Sequence, residues 1–329
     1  MLALVNKTRF ATALVPETDV GGVDYAVVIA KGRYVWNDGG GPLRFADEPP
    51  EIVYADVFHG LPAASLKYAS DLCLRKTGTD VAVVGEAVAP RGRVTTLDAC
   101  VEVGPLRRTL RVFGDRRWER TSGRWRPTAP LTFERMPLRY ERSFGGPSPT
   151  ASSNPVGVGV VHKDEEPEGK GLPNLEWPEH LIESRSDQPP PAGFGFIARH
   201  WTPRSSYAGT YDERWETERM PLLPLDFDER FHQAANPAMI VRPHLDGGEA
   251  IRLSYLSTVP YVSFALPRTW VVAQALLAGR STTAVMTLDT VCIEPDVRQV
   301  ALTWRAAFPC TRQWMDLDRV TVSSRESPA

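Results

Sequence analysis

The chain has 329 residues, 42% of them apolar and 24% charged, an ordinary globular composition that argues against wholesale disorder. Its 38 basic and 40 acidic side chains leave a formal net charge of −2, so no overall field would draw in a nucleic-acid backbone or an anionic membrane surface. With roughly 100 to 200 residues as the usual domain size, this length suggests two β-rich lobes or one extended lobe.

Lys7 and Arg9 interrupt the first apolar stretch, so no leader pattern forms there, and no span reaches the ~20 apolar residues of a membrane helix. A cytoplasmic protein is the expectation. Period-two alternation of β-branched and aromatic residues then predicts strands over residues 25–36, 80–89, 97–103 and 109–113. Turn signals separate them: residues 38–41 (DGGG), residues 90–92 (PRG) and Gly104-Pro105. Arg107, Arg108, Arg111, Arg116 and Arg117 partly alternate along this pattern and read as a solvated strand face rather than a phosphate site.

Residues 144–203 differ in character, with many Gly, Pro, Ser and Asn, the acidic run Asp164-Glu165-Glu166 and the triple Pro189-Pro190-Pro191. Phe144, Trp177, Phe194, Phe196 and Trp201 are set into this long loop and predict that it is ordered and packed. Further on, Asp226 could cap and Pro237 end a helix over residues 226–235, and residues 273–277 suggest a short amphipathic helix. Strands are predicted again over residues 250–257, 261–266, 284–293 and 297–304. The expected fold is mostly β: antiparallel sandwich or barrel-like lobes over residues 1–143 and 204–329, the second packed on the first, with the long loop region 144–203 between them and few short helices. The segment from Thr96-Leu97-Asp98 to Phe113 resembles the one from Thr287-Leu288-Asp289 to Trp304, either as two related lobes or as two ordinary hairpins.

Chemistry leaves few local marks. Cys73, Cys100, Cys292 and Cys310 never form a CxxC pair and read as buried small hydrophobes. His59, His162, His180, His200, His232 and His244 show no HxH or HExxH spacing, so no local metal motif is assigned. There is no GxSxG elbow, Ser143 reads as structural, and Gly157-Val158-Gly159 is only a fragment of a dinucleotide fingerprint. No cofactor, metal or catalytic residue is therefore assigned. Two polar clusters, Arg139-Tyr140-Glu141-Arg142 and Tyr211-Asp212-Glu213-Arg214-Trp215, read first as loop fasteners. Trp201, Arg204, Tyr207, Tyr211, Arg214 and Trp215 form a segment dense in aromatic and guanidinium groups, with no apolar period to bury it all. It is the candidate partner-binding surface, its alternative being a set of loop anchors packed inward.

Lys31-Gly32-Arg33-Tyr34, Ser70-Asp71-Leu72 with Lys76, Gly78-Thr79-Asp80-Val81, Val103-Gly104-Pro105 and Gly114-Asp115-Arg116 with Trp118 open a series of motifs. The series continues through Met136-Pro137-Leu138, Tyr140-Glu141, Phe144-Gly145-Gly146, Asn154-Pro155-Val156-Gly157, Leu172-Pro173-Asn174 and Pro191-Ala192-Gly193-Phe194-Gly195. It ends with Trp201-Thr202-Pro203-Arg204, Gly209-Thr210-Tyr211-Asp212 and Asp226-Phe227-Asp228. In this order, over nearly the whole chain, the motifs resemble the bacterial domain of unknown function family numbered 2169. The resemblance implies a non-enzymatic adaptor or chaperone of type VI secretion that binds an effector or its PAAR-type tip domain and helps load it onto the VgrG spike. It carries over no catalytic residues. Cys73-Leu74-Arg75 with Thr77, and His232-Gln233 after Phe231, depart from the family pattern and bear on partner choice. The rival expectation is a β-sandwich hydrolase or carbohydrate-processing enzyme, which would need two converging carboxylates in a cleft. A third, a structural spike component, would form a trimer.

Overall fold

Two long strands, Asp24–Asn37 and Gln299–Cys310, run antiparallel from Gln299 opposite Val35 to Cys310 opposite Asp24. They belong to a computed structural model that describes residues 3–60, 64–148, 152–162, 164–310, 314 and 317–326. Ala26 to Ala30 and Val300 to Ala306 are buried without interruption, as expected of strands covered on both faces. Burying side chains such as Ile29 and Leu302 contributes about 1.5–3 kcal/mol each.

A large sheet curls around this pair into a half-barrel. Beyond Gln299–Cys310 come Thr287–Glu294, then Thr79–Val83 in parallel, then Ile240–Val241. Beyond Asp24–Asn37 come Gly40–Phe45, Tyr261–Ala265, Ala250–Ser254, Thr96–Val103, Leu106–Phe113 and Leu175–Glu176. Ala11–Thr18 pairs with the first half of Asp24–Asn37. A second sheet of four strands holds Ala3–Asn6, Leu317–Glu326, Thr269–Leu277 and Arg280–Val285, in that order. Its Val271, Ala273, Ala275, Val320 and Val322 share one core with Ala26, Val28, Trp304 and Phe308 of the main sheet. The fold is mostly β, as expected, with both antiparallel and parallel pairings. Its main sheet interleaves strands from residues 11–113 with strands from residues 240–310. The two similar hairpins, Thr96–Val103 with Leu106–Phe113 and Thr287–Glu294 with Gln299–Cys310, lie in this one sheet on opposite sides of Asp24–Asn37.

Gly40 shows why one turn residue is glycine. At φ +105° its backbone meets the Tyr261–Ala265 strand so closely that a Cβ would sit 1.9 Å from the Ser263 carbonyl oxygen.

Two helix expectations are corrected. Residues 273–277 lie in the strand Thr269–Leu277, where Val271, Ala273 and Ala275 face inward and Trp270 and Gln274 outward; five residues are too few to separate a period of 3.6 from one of 2. In residues 226–235 only a 3₁₀ turn forms, Glu229–His232, capped by Asp228. Asp226 instead accepts hydrogen bonds from Thr210, and Asp80 accepts from the Gln233 side chain and the Ala234 N–H, drawing the chain out of helical geometry. The strand expected over 80–89 divides into Thr79–Val83 and Glu86–Val88, and that over 284–293 into Arg280–Val285 and Thr287–Glu294. Trp177, Phe194, Phe196 and Trp201 are buried, so the loop region is packed where it is described. All four cysteines are buried and unbridged.

Candidate binding site

The 3₁₀ turn Arg204–Tyr207 and the helix Glu213–Glu218 carry most of the aromatic and guanidinium segment, and the structure divides its members. Trp201 is buried, packed edge-on to Tyr140 at 5.7 Å with its indole N–H donated to His200 Nε2 at 2.9 Å. Arg204 is also buried and donates to the carbonyl oxygens of Ile197 (2.7 Å) and Phe231 (3.0 Å). Burial pulls its pKa down to about 10, still well above neutrality. These two anchors hold the segment onto the body from within.

The remaining members lie nearer the surface. Tyr207 is half-buried under the Arg230 guanidinium, 4.3 Å from the ring centroid. Asp212 caps the helix by accepting from the Trp215 N–H at 2.8 Å, and Arg214 pairs with Glu218 one turn on at 2.9 Å. Tyr211 and Trp215 meet edge to face at 4.7 Å, and the Trp215 indole N–H donates to the Leu222 carbonyl oxygen at 2.8 Å. Arg219 donates to the carbonyl oxygens of Leu223 and Val20, tying the helix to the turn after Ala11–Thr18. Tyr211 is left 54% exposed, Met220 62% and Leu225 74%. Tyr54 and Val23 are exposed as well. Tyr54, Tyr211, Val20, Leu223 and Phe227 line one hollow of about 380 Å³, and Gly22 packs against Leu222. The result is a partly apolar hollow on a capped, hydrogen-bonded frame, with Met220 and Leu225 exposed in the adjoining chain. Its back wall includes His232, whose pKa falls to about 3 through burial and then through the nearby Arg305, Arg204, Lys76 and Arg199.

A second hollow, of about 470 Å³, lies on the main sheet. Strand register builds its floor in rows: Lys31, Thr303 and Thr290 are successive cross-strand partners, with Asp80 next beyond them, and so are Arg33, Ala301 and Cys292, with Ala82 beyond. The residues around Ser70, which lines both hollows, close one side. Lys31 donates to Asp71 at 2.8 Å, while Lys76 donates to Asp80 and to the Thr290 hydroxyl, both at 2.8 Å. Just beyond, Arg305 donates to Asp289 (2.6 Å) and to the carbonyl oxygens of Asp71 (2.7 Å) and Cys73 (3.0 Å). Burial pushes the Asp289 carboxyl up, but Arg305 and Lys76 outweigh it and hold the group below its usual range. Glu294 accepts from the Tyr68 hydroxyl and from Gln299, so both its oxygens are engaged.

With this geometry in hand, the match to known families is decisive: one family model spans residues 21–305. The chain belongs to the family described as "Uncharacterized protein conserved in bacteria (DUF2169)". No curated protein and no solved structure matches it. Membership agrees with the resemblance read from the motifs, and the structure shows what several of those motif residues do. Asp71, Lys76 and Asp80 make the buried ion pairs above. Asn154 donates to the carbonyl oxygens of Tyr140 and Phe144, and Asn174 to that of Phe113. Gly145, at φ +158°, passes the Asn154 carbonyl oxygen so closely that a Cβ would lie 2.1 Å from it. These motif residues fasten loops to the sheet.

Of the sequence candidates, Tyr211, Arg214 and Trp215 come together on one short helix and its cap, Tyr207 lies nearby, and Trp201 and Arg204 point into the body. Sequence reading missed Met220 and Leu225. The signal was available: two large apolar residues flanking Pro221 and Pro224, in a stretch with neither helical nor strand period.

Proposed function

We propose that this chain is a non-enzymatic adaptor that binds a type VI secretion effector, or its PAAR-type tip domain, in the cytoplasm and helps load it onto the VgrG spike. The adaptor role is what the resemblance carried by the motif series implies; the family itself is described only as uncharacterized. The observation that carries it here is the hollow lined by the exposed Tyr54 and Tyr211 with Val20, Leu223 and Phe227, with Met220 and Leu225 exposed in the adjoining chain, on a frame fastened by Trp215 and Arg219. Large exposed apolar side chains beside charged ones such as Arg214 and Glu218 are the usual make-up of an interface centre.

Co-purification with a PAAR-domain effector from the same bacterium tests the reading. The wild-type chain is expected to retain the effector, and Met220→Asp with Leu225→Asp to lose it by at least about ten-fold, the effect of removing one strong anchor. Both side chains are largely exposed, so the variant should melt as the wild type does. Full recovery by the variant would remove Met220 and Leu225 from the interface, and no complex with the wild type would overturn the adaptor reading.

A further inference from the structure

Three basic side chains line the hollow on the main sheet: Lys31, Arg33 and Lys76. Lys31 and Lys76 are neutralised by Asp71 and Asp80. Arg33 has no ion pair among the described residues, and its Nε is shut from solvent without a hydrogen-bond partner. Arg33 is only partly buried and its guanidinium stays charged, so that charge is open to an anion entering the hollow.

The surroundings narrow the kind of anion. Beside Arg33 the floor is made of Ala301, Cys292 and Thr303, small side chains that leave space above the sheet. Val53, Val57 and Phe196 give an apolar wall. Asp71 and Glu294, already bonded within the protein, would repel a doubly charged group. The volume lies within the range of about 300–1,000 Å³ typical of small-ligand sites.

We propose that this hollow binds a single carboxylate carried on a short apolar body, gripped by the Arg33 guanidinium with Lys31 beside it and the body against Val53, Val57 and Phe196. A planar carboxylate matches the fork of guanidinium donors. The carboxylate belongs either to a free monocarboxylic acid or to the C-terminal residue of a bound polypeptide. Glu48 and Glu51 also line the hollow, stay exposed and form no ion pair among the described residues, so their charge opposes an entering anion. Neither Met220 nor Leu225 lines this hollow, and the proposal does not depend on them.

Titration calorimetry on the full chain tests this with hexanoate, hexanamide, inorganic phosphate, and a short apolar peptide with a free or an amidated C-terminus. Hexanoate or the free-acid peptide, or both, should saturate one site per chain, and which of them binds identifies the source. The two amides should not bind, and phosphate should bind more weakly. Arg33→Gln should weaken binding at least about ten-fold, the loss expected for a charge-assisted pair, with an unchanged melting curve. Ala301→Leu, which fills the floor without touching a charge, should weaken it too. Glu48→Gln with Glu51→Gln should tighten it. No saturable carboxylate binding in either the wild type or the Glu48/Glu51 variant would overturn the proposal, as would binding that survives Arg33→Gln or a preference for phosphate.

Discussion

Two segments of this chain are fastened by opposite means. Residues 71–80 are held by ion pairs with almost no solvent contact: Lys31 with Asp71 and Lys76 with Asp80, next to Arg305 with Asp289. Residues 210–225 are held by an exposed cap, a helix-surface ion pair and a few bonds to carbonyl oxygens. A buried ion pair adds little net stability against an apolar substitute, yet breaking it leaves a charge stranded, so it fixes one arrangement strongly. Exposed bonds exchange readily with water and let a segment open locally. The first segment therefore behaves as a rigid part of the sheet, and the second as a surface able to adjust to what it meets.

The sharpest way to break this contrast is at Arg305. Arg305→Met leaves Asp289 buried without its partner and frees the carbonyl oxygens of Asp71 and Cys73, so unfolding free energy measured in urea should fall by about 3–5 kcal/mol. Restoring much of that loss in Arg305→Met with Asp289→Leu would show that the pair specifies geometry more than it stabilises. Trp215→Phe, in the second segment, removes one hydrogen bond to Leu222 and should cost only about 0.5–1.5 kcal/mol. Hydrogen exchange should then speed up in residues 210–225 and stay slow in residues 79–83.

Acid sharpens the contrast further. Burial keeps His232 unprotonated in the folded chain down to about pH 3, whereas in the unfolded chain it takes up a proton near pH 6.5. The folded pKa is thus the lower one, so its contribution is fully present above pH 6.5 and is lost as pH falls towards 3. His59, lowered to about 4 by burial first and by Arg139, acts in the same direction. Urea midpoints measured from pH 7 to pH 4 should decline, and His232→Phe should flatten that decline. Arg214→Ala should change stability least of all, because its pair with Glu218 lies in solvent; a clear loss would show that the second segment is more tightly built than its exposure implies.

The strands were legible where the side chains alternate or run apolar, as in Asp24–Asn37 and Thr96–Val103, because period two is written in consecutive residues. Which strands pair was not, since register joins Lys31 to Thr303 and Thr290 to Asp80 across most of the chain. For the same reason the Arg33 hollow left no mark: its floor is a row of residues that are neighbours only in the sheet. The aromatic segment was legible as a unit, but not its inside and outside. Trp201 and Arg204 face carbonyl oxygens and rings supplied by residues 140, 197 and 231, which no local pattern announces.

The antiparallel match between Asp24–Asn37 and Gln299–Cys310 has a consequence for synthesis. The longest strand of the main sheet emerges from the ribosome early but meets its principal partner only after some 260 further residues, a count that follows from positions 37 and 299. Until then Val27, Ile29 and their neighbours have one edge open to other chains, a hazard that grows with such distant pairing. Nascent chains stopped before residue 299 should remain sensitive to protease and bound to general folding helpers, and those carrying residue 310 free of the exit tunnel should not.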